Sequence, residues 1–450
     1  MIKLGKSTVT SEEKAETYTS AESAPLDTEV KSSHEDDVAA PSISSSKPGF
    51  DIPNGGVVAW LQVAGSFFLI FNSWGIANTY GVYQTFYEEN ILSSMAPSAI
   101  SWIGSIQGFL LLMFGVLTGP IFDMGYFYSL LAAGTFLIVF GMMMTSLSTQ
   151  YYQVLLSQGI CVGLGSGCLF VPSVAIVAMY FSKRRAFAIG IAASGSSIGG
   201  VIYPAIFHQL QPKVGFGWAT RVIGFVALGT QIFALAVMRR RSGPTAPRQI
   251  IDKTAWREAP YVLFALATFF AFMGLYIPFF NISTFAEGKT GASVELAFYS
   301  VPIISAASTF GRILPGLIAD RVGPLNMLAP SSVASAILVF SWAAVHNVGG
   351  LVTFALLYGL ASGAIVSLAP SVVATLTPDL RRLGGRIGMQ FSIAGLGLLI
   401  GNPIAGAIEN VQEREYLGAQ MFCGAILMAS TIATIGARIA KTGPRLMVKA

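Results

Sequence analysis

The residue with the sharpest chemical potential in this 450-residue chain is Arg312. It sits eight positions before Asp320, inside an apolar run that reads as a helix. At 1.5 Å rise per residue this places it ~12 Å from the helix end, too deep for easy snorkelling. An ionisable side chain at that depth is by default a functional hypothesis. No Asp or Glu falls inside any of the apolar spans, so the expected partner is an anion carried by a substrate, which an arginine can hold in two-pronged fashion. The competing reading is that Arg312 bonds backbone carbonyls or polar side chains and braces its helix. Asn72, Trp74, Asn78 and Tyr80 lie on one span. An asparagine facing lipid is costly, so these residues are expected to face protein or a cavity. Proton relays in membranes use Asp, Glu or His, and His208, near the outer end of a span, is the candidate, with a structural role as the alternative.

Other chemistries are poorly served. An enzyme would need clustered acid, base or nucleophile side chains, yet His34, His208 and His346 lie far apart. No phosphate-binding GxxxxGK[ST] loop is present, which excludes an ATP-driven pump. Gly163, Gly165 and Gly167 sit inside an apolar span, without the strand–turn–helix setting of a nucleotide fingerprint. Cys161, Cys168 and Cys423 fall in apolar runs and read as small core residues. No metal and no cofactor is expected.

The elements that must position these residues are membrane helices. The chain is 53% hydrophobic and 11% charged, with a mean hydropathy of +0.65. A soluble domain carries about 25% charged residues, so most of this chain lacks a water-facing surface. Apolar runs long enough to cross a ~30 Å hydrocarbon core recur at 57–80, 98–122, 126–147, 154–181, 186–208, 217–238, 260–284, 296–319, 326–346, 350–376, 386–408 and 417–439. That predicts twelve spans, and lipid forces each to be helical because it offers the backbone no hydrogen-bond partner. The bases lie chiefly in one set of loops: Lys183 to Arg185, Arg239 to Arg257, Arg321, and Arg381 with Arg382. Only Lys213, Lys289 and Arg414 lie in the other. The positive-inside rule then puts both termini in the cytosol. The first fifty residues hold nine acids, five bases and few aromatics; residues 1–52 read as a disordered cytosolic tail. The halves follow as 53–238 and 259–440, joined by a cytosolic linker at 239–258, with a short cytosolic tail at 441–450. They repeat: Asp123 and Asp320 are 197 positions apart, as are Arg184 and Arg381. The expected fold is therefore all-α, two pseudo-symmetric bundles of six transmembrane helices. Parallel repeats of this kind are an established transporter plan with a midplane site between the halves.

On these motifs the chain resembles the major facilitator superfamily. Gly316-Leu-Ile-Ala-Asp320-Arg321-Val-Gly323 matches its loop signature, and Gly119-Pro-Ile-Phe-Asp123-Met-Gly125 is a degenerate first-half copy. Within the superfamily it looks like the fungal branch of the monocarboxylate-transporter group. Asn54-Gly55-Gly56 followed by Trp60 is similar to that group's start of helix one, and Tyr180-Phe181-Ser-Lys183-Arg184-Arg185 to its motif before helix five. Two departures stand out. Ser308 occupies the position where animal members carry an Asp one turn before the arginine, and their helix-one lysine is replaced near Gly81. Both count against proton-coupled lactate-type transport.

The resemblance implies a cavity lined by helices one, four, seven and ten. It adds Tyr276, Asn281, Ser367 and Gln390 to the candidate substrate contacts, each with helix–helix hydrogen bonding as the alternative. Asn281-Ile-Ser283 is a glycosylation sequon too close to the membrane for use. Asp123 and Asp320, with Arg184, Arg185, Arg321, Arg381 and Arg382, are expected to form cytosolic latches that shut the inner gate. Gly195/Gly199 and Gly397/Gly401 let helix backbones approach closely and are read as sliding surfaces for alternating access, against static packing. The expected function is secondary active or facilitative transport of a small organic anion, monocarboxylate-like or a fungal secondary metabolite, with efflux favoured. A membrane nutrient sensor with this fold is the alternative. The expected partners are that anion, the lipid bilayer and, as a candidate coupling ion, H+, with no nucleic acid. The protein is read as a monomer of the plasma membrane.

Overall fold

A computed structural model describes residues 54–95, 97–241, 252–379, 382–408, 416–444 and 448. The expected N-terminal tail, half of the linker (242–251), Arg381 and Arg414 lie outside the described residues. Those described form helices and no strands. In chain order they are α1 (Val57–Ile91), α2 (Ala99–Asp123), α3 (Phe127–Thr145), α4 (Tyr151–Tyr180), α5 (185–214), α6 (216–237), α7 (Ala259–Thr290), α8 (Val294–Val322), α9 (Pro324–Trp342), α10 (Val348–Leu376), α11 (Leu383–Ile408) and α12 (Leu417–Thr442). Helices α5 and α6 follow each other directly, parted by a kink at Gly215 with φ 79° and ψ 167°. That conformation is open only to glycine. The two arms nonetheless run in opposite directions along α1. Gly195 and Gly199 meet Phe67 and Phe71 in parallel order, while Thr230 bonds Asn72 and Met238 meets Gly65 in antiparallel order. The eleven apolar helices long enough to span a membrane thus make twelve crossings.

Two spans are longer than their hydropathy indicates. Helix α1 continues past residue 80 through a π turn at Tyr87–Ile91, and α7 past 284 through a π turn at Ala286–Thr290. The 35 residues of α1 are ~52 Å long at 1.5 Å each, well beyond a ~30 Å core. Their last turns carry Glu88, Glu89 and Glu287. Helices therefore do contain carboxylates, but at their ends, where the polar surplus length lies.

The paired glycines pack helices within each half. Gly195 and Gly199 lie against the carbonyls of Phe67 and Phe71, so they pack α5 on α1. Gly397 and Gly401 lie against the carbonyls of Phe269 and Met273, packing α11 on α7. Both contacts are inside one half, and each is the pseudo-symmetric copy of the other. A side chain at any of the four would enter a neighbouring backbone, so the glycines permit close helix approach within each half. The seams between the halves use other glycines. Gly190 rests on the Arg312 carbonyl and Gly316 on Ala186 along α5–α8; Gly115 rests on Gly388 and Gly119 on Gly384 along α2–α11.

Candidate functional site

Arg312 lies in the α5–α8 seam, 4% exposed. Helical side chains lean toward their helix N-terminus, which carries the guanidinium back to the level of Ser308. Nε donates to Ser308 Oγ at 3.2 Å. Nη1 donates to the Ala193 carbonyl at 2.9 Å and to Ser196 Oγ, both on α5. Nη2 makes no hydrogen bond, and Arg312 no ion pair, among the described residues. The side chain thus does brace, both along its own helix and across the seam between halves.

Beside it stands a buried aromatic cluster drawn from both halves. Trp74 of α1 and Tyr276 of α7 lie 5.6 Å apart with rings 7° from parallel. Phe170 of α4 meets Trp74 at 5.8 Å and Phe391 of α11 at 4.9 Å. Phe272 of α7 joins Trp74 at 6.3 Å and Phe391 at 6.1 Å. The Trp74 indole N–H is buried with no partner among the described residues, and Arg312 is within electrostatic reach of Tyr276. Phe170, Phe272 and Phe391 were invisible in the sequence, since one phenylalanine among 31 carries no positional signal.

The other expected contacts divide. Asn78 reaches the seam, its Nδ2 donating to the Ser196 carbonyl at 3.4 Å. Asn72 does not reach the aromatic cluster through its amide. Nδ2 donates to Phe68 O at 2.8 Å and Thr230 Oγ1 at 2.9 Å, and Oδ1 accepts from Tyr203 at 2.5 Å, which knots α1, α5 and α6 together. Tyr80 donates to the Ile100 carbonyl and packs on Gly104, fastening α1 to α2. Gln390 Nε2 donates to Phe264 O at 3.1 Å and to Thr268 Oγ1, joining α11 to α7. Ser367 is turned onto its own helix at Ala364 O, 3.5 Å away. In each case an intramembrane polar group has taken a helix partner, the alternative reading of the sequence. Asn281 is half-buried on α7. His208 is exposed at the far end of α5 and stacks on Phe298 of α8 at 4.3 Å.

At the face that carries the basic loops, both aspartates cross between the halves. Asp320 accepts the N–H of Ala186 at 2.9 Å and of Phe187 at 3.1 Å, at the start of α5. Asp123 accepts the N–H of Gly385 at 3.1 Å, at the start of α11. Helix N-termini present unpaired N–H groups and a positive dipole end, so carboxylates suit them. Both carboxylates thus meet backbone amides of the opposite half. Arg185 Nε donates to Phe181 O at 3.1 Å, close enough to Asp320 to feel its charge. Arg184 and Arg321 are exposed. Arg240 of the linker donates to the Asp123 carbonyl at 2.9 Å.

Sequence reasoning missed a third cluster. Arg386, 3% exposed, holds Glu258 through two bonds of 2.7 and 3.0 Å, Asp252 at 3.0 Å and the Leu376 carbonyl at 3.1 Å. Arg382 lies 3.7 Å from Asp252. Burial pushes the Asp252 carboxyl up, but hydrogen bonds from Thr254 and Arg386 outweigh it and hold it below the usual carboxylate range. Counting only the bases of these loops hid their acids. Arg221 was missed too: it lies inside the sixth span, donating to Ser146 at 3.1 Å over the Trp218 ring. The two quoted motifs near residues 54 and 180 do meet. Asn54 Oδ1 accepts from Ser182 N, Ser182 Oγ and Lys183 N at 2.7–2.8 Å, and Trp60 meets Phe181 at 5.1 Å.

The family profile described as the Major Facilitator Superfamily matches residues 57–350. The chain belongs to that superfamily. Its relatives include the MFS-type transporter dbaD of Emericella nidulans, 50% identical over 79% of this chain and 80% of that one. The aspyridones efflux protein apdF of the same organism is 38% identical over 91% and 83%. The MFS transporter asaE of Aspergillus flavus is 37% identical over 88% and 90%. Among solved structures, the E. coli fucose:proton symporter FucP superposes with a TM-score of 0.62 at 15% identity, covering 85% of this chain and 98% of that one, a likeness of fold. This superfamily member is a membrane transporter, not an enzyme.

Proposed function

We propose that this transporter carries an organic anion with an apolar, unsaturated body, and that Arg312 is its anchor. The observation that carries the reading is a buried guanidinium whose Nη2 is uncommitted among the described residues, within electrostatic reach of Tyr276 in an aromatic cluster whose Trp74 N–H is also without a partner there. Two hydrogen-bond donors in an apolar setting call for a ligand that brings acceptors and negative charge. The rings suit a larger body than lactate. The substrate enters as an anion, takes Nη2, and competes with Ala193 and Ser196 for Nη1. Loosening the α5–α8 seam then favours the alternate state, in which the Asp123 and Asp320 latches shut the basic face behind the substrate while it leaves on the other side.

The basic face is cytosolic by the positive-inside rule. The motifs around Asn54 and Tyr180 support a place in the monocarboxylate-transporter-like group. The relative named as the aspyridones efflux protein supports export of a secondary metabolite; the protein is proposed to act as a monomer in the plasma membrane. A proton is the candidate coupling ion. The test is flux of labelled organic acids in proteoliposomes across pH. Arg312→Ala is expected to lower kcat/KM by about 30-fold or more, the cost of truncating one partner of a buried charge pair, while Arg312→Lys retains part of it. Normal transport by Arg312→Ala would sink the proposal and point to a neutral substrate.

A further inference from the structure

The α5–α8 seam continues past Arg312 toward the far face, and its side chains there are not accounted for by packing. Ser305 of α8 is 1% exposed, and its Oγ has no hydrogen-bond partner among the described residues. It is aimed at Gly200 of α5: a Cβ on that glycine would lie 3.2 Å from Ser305 Oγ and 3.4 Å from Asn78 Nδ2. Asn78 is held only at 3.4 Å by the Ser196 carbonyl, beyond the usual range of a good N–H···O bond. A hydroxyl without a partner and a weakly held amide therefore converge on the same bare stretch of backbone.

From these contacts we infer a second polar subsite, formed by Ser305, Asn78 and the bare backbone of Gly200, that takes a hydroxyl or keto oxygen of the transported acid. The inference rests on the anion reading of Arg312. Its spacing follows from the helices. Ser196, which receives Arg312, precedes Gly200 by four residues, and Ser305 precedes Ser308 by three. The two subsites are therefore about one helical turn apart, ~5–6 Å. Asn78 donates, and Ser305 donates or accepts, so either a ketone or a hydroxyl is satisfied. Asn78 also shares a face of α1 with Trp74, four residues earlier, which sets the oxygen beside the aromatic cluster. The substrate class is an oxygenated organic acid, with its second oxygen ~5 Å from the carboxylate. Ser305 and Asn78 are the specificity determinants; Gly200 lets the α5 backbone lie close against them here, and the substrate oxygen enters as the α5–α8 seam parts.

The full chain in proteoliposomes, offered benzoate and 3-hydroxybenzoate, tests this. The wild type is expected to bind and carry the hydroxylated acid with a KM about tenfold lower, the worth of one good buried hydrogen bond. Ser305→Ala is expected to bring the two KM values together, Ser305→Thr to restore the gap, and Gly200→Val to close it by filling the site. Thermal unfolding checks that each variant is folded. Equal KM values in the wild type, or a preference that survives Ser305→Ala, overturn the subsite. If Arg312→Gln carries both acids with wild-type KM while Ser305→Ala still erases the preference, the subsite stands and the anion anchor falls. Failure of the wild type to bind either acid overturns both.

Discussion

The carboxylate of Asp320 accepts the backbone N–H of Ala186 at 2.9 Å, joining the last turn of α8 to the first turn of α5 across the boundary between the halves. The same carboxylate takes Phe187 N, and Asp123 takes Gly385 N at the pseudo-symmetric seam. Two hydrogen bonds from a charged acceptor to a helix N-terminus contribute about 2 kcal/mol. Asp320→Ala is therefore expected to shift the gate at the basic face about 30-fold toward opening. Spin labels on Ser182 and Val322 would read the change as a longer distance population. An unchanged distance distribution would remove Asp320 from the gate.

Asp252 gives a pH dependence with a definite sign. Its folded pKa is depressed, so its contribution is present above the unfolded carboxylate value (about 3.9) and disappears as pH falls through the folded one. Asp252→Asn should destabilise the protein by about 1 kcal/mol at neutral pH, with Glu258 still holding Arg386. The difference from wild type should vanish on acidification. Thermal unfolding against pH checks this, and a gap that widens in acid would contradict it.

The packing glycines and a free glycine make a matched pair. A side chain at Gly401 meets the Met273 backbone, whereas one at Gly406 meets nothing within 4 Å. Gly401→Val is expected to cost at least ~1–3 kcal/mol, the usual penalty of overpacking, and to lower folded yield. Gly406→Ala should fold normally. Size-exclusion profiles of the detergent-extracted variants distinguish them.

Asn72 and Trp74 are two residues apart on α1 and should respond differently. Asn72→Ala unties Thr230 and Tyr203 and leaves a buried hydroxyl of Tyr203 without its acceptor, a loss of about 1–3 kcal/mol in stability. Trp74→Phe keeps a ring and removes the N–H, so it should raise KM with stability nearly unchanged. Paired melting curves and flux measurements separate them. A KM change for Asn72→Ala at unaltered stability would return Asn72 to the substrate site.

The sequence by itself determined the class of molecule and its repeat. Hydropathy is one-dimensional, and lipid allows a long apolar run only one backbone form, so twelve crossings were legible even where α5 and α6 run together through Gly215. The 197-residue offset shared by Asp123/Asp320 and Arg184/Arg381 marked the repeat, and the depth of Arg312 marked it as a candidate. Tertiary structure decided which way each polar residue turns. A membrane helix is apolar all round, so no amphipathic stripe distinguishes the side that faces a neighbour from the side that faces a cavity. Asn72, Tyr80 and Gln390 thus became helix fasteners, and Trp74, Tyr276 and Asn78 came to the centre. The partner of Arg312, Ser196, is 116 positions away, and the acids held by Arg386 come from the linker, more than 120 positions back. Such pairs exist only once the halves close on each other, because hydrogen bonds depend on distance in space, which spacing along the chain does not carry.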